Sequence, residues 1–287
     1  MIHLDLPKEM PSFSEVIDLC CTKDVAYKQS VLNGKSFLLQ EAEIYKNLAM
    51  NNDLFLFDTT LPKNEIIFGD LRNEHMVRLY KYCLRKCRCG DIYDTIINLA
   101  QSVKCPFCGG IGRPTQIDHF LPQGRYGHFS VFPENLIPIC KDCNTEYKKE
   151  FFPTQKDKQL IHPYLDDHAI FEEQWLYAEY IDDDSNIGSV KYYVSPPEKW
   201  TNERKEKVKF HFETFYLSAR FSEVATGSLS DLLTQMQTYK NEGKITIEDF
   251  EISSIDSVIN REKRANSWKK ALFLAVKEKL PIIWRKI

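Results

Sequence analysis

Residues 105–148 read CPFCGGIGRPTQIDHFLPQGRYGHFSVFPENLIPICKDCNTEYK. Two cysteine pairs with C-x-x-C spacing frame this stretch, Cys105 with Cys108 and Cys140 with Cys143. Four thiolates suit Zn²⁺, which prefers tetrahedral coordination by soft ligands, and four protein ligands leave no coordination position for water. The sequence therefore predicts a structural zinc site. The alternative is that the cysteines are reduced thiols that pack as small apolar side chains.

Residues suited to hydrolytic chemistry lie between and directly after the cysteine pairs. Asp118 and His119 are adjacent, Asn135 follows them, and Asn144 comes directly after Cys143. A histidine can act as a general base, and carboxylate and amide oxygens suit Mg²⁺ or Mn²⁺. This combination predicts phosphodiester hydrolysis. The alternative gives the histidine a structural role and the asparagines turn or helix-capping roles.

The run from Thr115 to Leu121 is typical of a short strand. Consecutive side chains of a strand point to opposite faces. Asp118 and His119 can therefore face one ion only if the strand ends or twists there. Pro122, which follows directly, favours such a break.

Three motifs in this stretch resemble those of the HNH endonuclease family. They are Asp118-His119-Phe-Leu-Pro122, Glu134-Asn135-Leu136-Ile-Pro138, and Cys140-x-x-Cys143-Asn144 followed by Lys148. The resemblance covers about 45 of the 287 residues. The second histidine in the name HNH corresponds to Asn144 in this sequence, and asparagine also occurs at this position in the family. The resemblance implies a ββα-metal core with one strand that ends at His119, a second near 136–139, and a helix from about Lys141.

The resemblance also implies a role for each matched residue. His119 would be the general base that takes a proton from the attacking water, because an ordinary pKa of about 6.5 leaves the imidazole neutral in the cell. Asp118 and Asn144 would hold one Mg²⁺ or Mn²⁺ ion at the scissile phosphate. Asn135 would bridge the loop between the strands and fix the orientation of the His119 ring.

Further histidines and cysteines lie outside these motifs. We expect His128 to be a solvated loop residue, with contact to a phosphate as the alternative. His162 precedes a proline, so we expect it to pack in a turn instead of adding a ligand to the site. The spacing of Cys83, Cys87 and Cys89 favours a helix over a zinc site. Cys20 and Cys21 are the other two cysteines outside the C-x-x-C pairs.

The net charge of −3 is unusual for a protein that binds nucleic acid alone, so the distribution of charge is more informative. Residues 72–88 contain six basic side chains and one acidic side chain, with apolar residues at helical spacing. We expect one helix face to pack and the other to follow a phosphate backbone, with a solvated face as the alternative. The candidate nucleic-acid contacts are Arg78, Lys81, Arg85, Arg88, Arg125 and Lys148.

The flanking sequence is predominantly helical in pattern. Ser12 and Glu15 have the spacing of a capping box, residues 36–48 and 91–103 repeat at helical spacing, and residues 175–181 and 190–194 give a hairpin signal. We therefore predict an α+β protein in which a zinc-stapled ββα-metal core is embedded in mostly helical structure. The predicted regions are an N-terminal helical region (1–103), the core (104–165), and a hairpin plus helical C-terminal region (166–287).

These observations favour a metal-dependent HNH endonuclease that cuts DNA, with RNA as an alternative substrate. No signal peptide opens the chain, and no stretch approaches the roughly 20 apolar residues of a membrane span, so we expect a cytoplasmic protein without membrane contact. The resemblance implies an anti-phage effector that acts with a partner such as an ATPase subunit. The alternative is a catalytically inactive, zinc-dependent module that binds nucleic acid or protein.

Overall fold

The chain forms two compact units. The computed structural model describes residues 1–22, 26–57, 65–87, 89–100, 104–183, 188–243 and 245–287. One unit comprises residues 2–167, and the other comprises residues 168–287 together with Met1. The predicted boundary after residue 165 lies close to this division. The predicted boundary after residue 103 lies inside the first unit, so the N-terminal helices and the cysteine-framed core form one compact body.

The first unit combines short helices with two small antiparallel sheets. Its α-helices are α1 (Phe13–Cys20), α2 (Lys28–Asn33), α3 (Lys35–Met50), α4 (Asn73–Arg78) and α5 (Ile92–Asn98). Its strands are β1 (Ile66–Phe68), β2 (Leu71–Arg72), β3 (Gln116–His119) and β4 (Leu136–Ile139), paired β1 with β2 and β3 with β4. Two segments are π-helical, Leu79–Lys86 and Cys143–Lys148.

Local sequence accounts for the helices that support the core. The predicted capping box opens α1, where the Ser12 N–H donates to Glu15 Oε2 at 2.8 Å and the Glu15 N–H donates to Ser12 Oγ at 3.4 Å. The predicted helix at 36–48 is confirmed as α3, which buries residues at intervals of three and four, including Tyr45. Helix α5 is shorter than predicted, because it ends at Asn98; residues 101–103 lie outside the described residues.

The two strands predicted around the Asp-His motif are confirmed. Strand β3 ends at His119 and pairs antiparallel with β4. Ile117 and His119 on β3 are buried, whereas Gln116 and Asp118 are partly exposed. Every residue of β4 is buried, so this strand pair reaches the surface only at Gln116 and Asp118 of β3.

The second unit is a hairpin covered by helices. Its elements are α6 (Ala169–Glu172), β5 (Leu176–Ile181), β6 (Ser189–Val194), α7 (Asn202–Thr214), α8 (Leu217–Asn241), α9 (Ile247–Phe250), α10 (Ser257–Arg261) and α11 (Trp268–Lys286). The predicted hairpin is confirmed, since β5 and β6 pair antiparallel, with α11 packed against β5 and α8 against β6. Buried Asn266 accepts the backbone N–H groups of Trp175 and Leu176 at 2.8 and 3.0 Å, which ties the hairpin to the chain before α11.

The chain is thus an α+β protein with more helix than strand, as predicted. Its three sheets in the described residues each have two strands. No helix among these residues has the length and apolar character needed to cross a bilayer.

Candidate metal centre and catalytic cleft

The four cysteines of the two C-x-x-C pairs meet in one cluster. All four are buried, and their sulfur atoms lie within 4.8 Å of one another. Four sulfurs at about 2.3 Å from a tetrahedral Zn²⁺ would be about 3.8 Å apart, so the cluster could bind zinc. Within the described residues no other group of three or more His, Cys, Asp or Glu is close enough to share an ion. Of the other cysteines, only Cys87 is exposed; those buried outside the cluster are Cys20, Cys21, Cys83 and Cys89.

Glycines shape the backbone around the first cysteine pair. Gly109 and Gly110 have φ angles of +60° and +102°, which residues with a side chain rarely adopt. The Gly112 N–H donates to Cys108 Sγ at 3.4 Å, and such a bond favours the thiolate form that binds metal. A Cβ atom at Gly112 would lie 2.5 Å from Cys140 Sγ, so the close approach of the two pairs requires glycine there.

A cleft of about 590 Å³ opens beside β3. Asp118, His119 and Asn144 all line it, so three of the four predicted catalytic residues meet in one place. The fourth, Asn135, is fully buried behind them. The cleft wall also contains polar residues that belong to none of the sequence motifs, among them Gln116 and Glu150.

The hydrogen bond of His119 determines which of its ring nitrogens can accept a proton. His119 Nε2 lies 2.9 Å from the Ser130 carbonyl oxygen. Because a carbonyl only accepts, Nε2 carries the hydrogen and Nδ1 is the proton-accepting nitrogen. Burial lowers the pKa of His119 to about 4, although the Ser130 bond and the nearby Asp118 carboxylate act in the opposite direction. The ring is therefore neutral near pH 7, the form that a general base requires.

A buried lysine holds Asp118 in place. Lys148 Nζ lies 2.7 Å from Asp118 Oδ2 and donates to the His119 carbonyl oxygen at 2.9 Å. Only 1% of Lys148 is exposed. The expectation that Lys148 contacts nucleic acid is therefore wrong, because its ammonium group is enclosed by the protein and is paired with Asp118 and the His119 carbonyl oxygen.

Asn144, in the cleft wall, is held by Gln116. Its Nδ2 donates to Gln116 Oε1 at 2.7 Å, which leaves Asn144 Oδ1 as the atom able to bind a cation. Gln116 stands two residues before Asp118 on the same face of β3. Mg²⁺ is commonly held by one or two protein oxygens together with water and substrate phosphates. The donor set of Asp118 and Asn144 fits such an ion.

Asn135 bridges the loop between β3 and β4. Its Oδ1 accepts the Leu121 N–H at 2.8 Å and the Tyr45 hydroxyl at 3.1 Å. Its Nδ2 donates to the carbonyl oxygens of Leu121 at 3.1 Å and Phe129 at 3.2 Å. The residue after Phe129 is Ser130, whose carbonyl binds the catalytic histidine candidate. Asn135 is therefore positioned to hold the backbone that orients this ring.

Tyr45, on α3, is a member of this network that sequence analysis missed. Its hydroxyl lies 3.0 Å from His162 Nε2, while His162 Nδ1 accepts the N–H groups of Tyr164 and Leu165, both at 3.3 Å. Nε2 therefore carries the hydrogen and donates to Tyr45, whose own hydrogen is donated to Asn135. His162 directly precedes the turn at residues 163–165, and its carbonyl accepts the Asp166 N–H at 3.3 Å. The periodicity of α3 indicated that Tyr45 is buried but gave no sign of its partners.

His128 differs from both of its predicted roles. It is 1% exposed, and its ring lies against the rings of Phe57 and Phe129, at centroid distances of 5.7 and 4.1 Å. Neither ring nitrogen has a hydrogen-bond partner among the described residues. Burial lowers its pKa to about 3. The expectation of a solvated residue is wrong, as is the alternative of a phosphate contact, because aromatic side chains enclose the ring.

Most of the other candidate nucleic-acid contacts are exposed. Arg78 on α4 and Lys81 and Arg85 on the following π-helical segment are exposed. The apolar residues predicted for the opposite face are buried: Met76, Leu79, Tyr80 and Cys83. Arg125 is exposed, with its guanidinium 4.7 Å from the ring centre of Phe152. Arg88 lies outside the described residues.

Comparison with known proteins gives one informative result. No protein-family model matches the chain, and no solved structure matches it. A curated relative, protein ea31 of Escherichia phage lambda, is 30% identical over 282 residues, a region that covers 93% of this chain and 95% of the relative. The similarity therefore extends through both units and is not confined to the cysteine-framed core. This chain belongs to the same family as protein ea31 of Escherichia phage lambda.

Proposed function

We propose that this protein is a metal-dependent HNH endonuclease that hydrolyses phosphodiester bonds in DNA. The observation that supports this most directly is the state of His119. Its Nε2–H is bound to a backbone carbonyl, burial lowers its pKa and so favours the neutral ring, and it lines a polar cleft together with Asp118 and Asn144. A general base beside hard oxygen ligands is the arrangement that phosphodiester hydrolysis requires.

In this proposal His119 takes a proton from the attacking water at Nδ1. The Nε2–H bond to Ser130 keeps the ring in one tautomer and stabilises the imidazolium that forms. Asn135 holds the backbone of that carbonyl, and Lys148 fixes the carboxylate of Asp118. Asp118 and Asn144 would hold Mg²⁺ or Mn²⁺, which when bound supplies Lewis-acid activation and charge neutralisation at the scissile phosphate.

The cysteine cluster has a structural role in this proposal. Zn²⁺ held by Cys105, Cys108, Cys140 and Cys143 would contribute free energy of folding directly. It would join the chain before β3 to the helical segment after β4, and both elements carry residues of the cleft. The zinc site and the catalytic site are thus separate, but the same two chain segments contribute residues to both.

The basic side chains provide a path for the phosphate backbone. Arg85 lines the cleft itself and lies on the same exposed helical stretch as Arg78 and Lys81. Anti-phage defence, an ATPase partner and a cytoplasmic location remain predictions from the sequence. Because ea31 is itself a phage protein, membership in its family does not favour defence over another role in nucleic-acid processing.

Cleavage of supercoiled plasmid in Mg²⁺ or Mn²⁺ tests the proposal. His119→Gln keeps an N–H donor for Ser130 but removes the basic nitrogen, so cleavage should be abolished while bound zinc is retained. The matched control is His168→Ala, since the His168 side chain is 65% exposed and belongs to the second unit. Full cleavage by His119→Gln would contradict the role of His119 as the general base, and absence of cleavage by the wild type would favour the catalytically inactive, zinc-dependent binding module.

A further inference from the structure

A second surface pocket lies next to the catalytic cleft. It has a volume of about 500 Å³, and its lining consists of Lys81, Tyr82, Arg85, Lys86 and Tyr93. Arg85 and Tyr93 also line the cleft that contains Asp118 and His119. The two depressions are therefore adjacent and share an arginine and a tyrosine in their walls.

The π-helical segment Leu79–Lys86 explains why these side chains share one face. Its buried residues are Leu79, Tyr80, Cys83 and Leu84. The exposed residues come in two adjacent pairs, Lys81 with Tyr82 and Arg85 with Lys86, separated by one turn. Each exposed turn thus presents at least one cation, and Tyr93 at the start of α5 completes the pocket.

The three cations of this pocket are available for a ligand. Lys81, Arg85 and Lys86 form no hydrogen bond or ion pair with the described part of the chain, whereas Lys35 and Lys148 are paired with carboxylates. The pocket lining itself contains no carboxylate. Cations without protein partners beside a phosphodiesterase cleft are suited to binding nucleic-acid phosphates.

The aromatic side chains give the pocket a second property. Tyr82 is 54% exposed although its ring is large and apolar, and Tyr93 is partly exposed. An exposed ring among cations can stack on a nucleobase, an interaction that does not depend on sequence. In a duplex the faces of each base are covered by its neighbours. A ring in this position therefore gains most from a base that is unpaired.

We propose that this pocket is a nucleobase-stacking subsite, and that the substrate is single-stranded or locally unpaired next to the bond that is cut. Tyr82 stacks on the base, while Lys81 and Lys86 contact the flanking phosphates. Arg85 stands between the subsite and the cleft, so it contacts the phosphate that leads to the scissile bond. This inference relies on the proposed function for its location, but its binding test does not require cleavage.

The test measures binding of labelled oligonucleotides to the full-length His119→Gln protein by fluorescence anisotropy, without turnover. One sequence is presented as a single strand and as a hairpin duplex, each as DNA and as RNA, across a salt series. Tyr82→Ala should weaken single-strand binding by roughly 5- to 150-fold, while Tyr82→Phe keeps the ring and should bind normally. Tyr193→Ala, at an exposed tyrosine of the second unit, is the matched control.

The salt series separates stacking from charge. Tyr82→Ala should leave the slope of log affinity against log salt unchanged, because a tyrosine releases no counterions. Replacement of Lys81 and Lys86 by Gln should reduce the slope by roughly 0.7 for each phosphate that the protein no longer neutralises. Equal affinity for hairpin and single strand, or unchanged binding by Tyr82→Ala, would overturn the subsite. If the subsite behaves as expected but the wild-type protein does not cut, the proposed nuclease activity fails while the subsite stands.

Discussion

The buried ring of His128 should make the stability of the first unit depend on pH. Burial lowers its pKa to about 3 in the folded protein, whereas a histidine in an unfolded chain titrates at about 6.5. The folded-state pKa is the lower one, so the unfolded chain binds the proton more tightly. The contribution of His128 to stability is therefore complete above about pH 6.5 and is lost progressively as the pH falls toward 3.

The size of this effect follows from the two pKa values. At pH 5 the unfolded chain is protonated at this residue and the folded chain is not, which favours unfolding by about 1.5 pKa units, or about 2 kcal/mol. That is a large part of the roughly 5–15 kcal/mol that stabilises a typical protein. His119, whose pKa burial lowers to about 4, should add a loss of similar size. The pH dependence of the wild type should thus be reduced in His128→Leu by the contribution of His128 alone.

Urea unfolding at pH 7 and pH 5 measures this difference. Leucine matches the volume of histidine, suits the aromatic surroundings and does not titrate. Far-UV circular dichroism reports both units, whereas tryptophan fluorescence reports only the second, since the four tryptophans are at positions 175, 200, 268 and 284. A transition that circular dichroism detects and fluorescence does not therefore belongs to residues 2–167.

A variant at an exposed histidine tests whether the pH dependence of stability comes from the burial of the His128 ring. His168→Leu removes an exposed ring, so it should leave the pH dependence of the wild type unchanged. His128→Leu should retain about 2 kcal/mol more of its pH 7 stability at pH 5 than the wild type does. An equal loss in His128→Leu and wild type would refute the argument that His128 is buried in the neutral form.

Three further changes address the network around the cleft. Cys143→Ser should lose bound zinc and unfold the core, whereas Cys87→Ser, at an exposed cysteine, should keep the zinc and stay folded. Elemental analysis measures the zinc, and thermal melting measures the fold. Tyr45→Phe removes the hydroxyl that accepts the His162 Nε2–H, so urea unfolding should show a free energy of unfolding lower by about 1–3 kcal/mol. The same variant should have a lower kcat at unchanged KM, and its ¹⁵N spectrum should show a less uniform tautomer of His119. Lys148→Met should lower the free energy of unfolding by about 3 kcal/mol, because it leaves the Asp118 carboxylate without its partner. Adding Asp118→Asn to this variant should restore part of the lost stability.

The elements that sequence predicts well are those fixed by local patterns. Strand β3 lies within the run from Thr115 to Leu121 that the local pattern predicts, the positions of its end and of β4 agree with those that the family resemblance implies, and the approach of the two cysteine pairs is predicted from their spacing. The capping box at Ser12 depends on residues three apart. The individual C-x-x-C turns, the strand run and the capping box are each determined within a few positions of the chain, where propensity and spacing are reliable.

The features that sequence does not predict depend on distant partners. Tyr45 and Asn135 are 90 residues apart, and no local pattern indicates that the hydroxyl of one meets the amide of the other. The sequence favours a surface position for Lys148 because lysine is rarely buried without a partner, yet Asp118 on β3 supplies that partner. The neighbours of His128 are aromatic residues of its own loop and of the chain near Phe57, so its burial reflects packing and not its polarity.

The charge of the chain gives a physical reason for a stacking contact. Electrostatic attraction to nucleic acid weakens steeply with salt, and a chain of net charge −3 gains little from it at a distance. Close contact is different, because Lys81, Arg85 and Lys86 are concentrated at one edge of the cleft. Even there, affinity at physiological salt requires a contribution that counterions do not screen. An exposed ring such as Tyr82 provides that contribution, so we expect its removal to weaken binding by the same factor at every salt concentration.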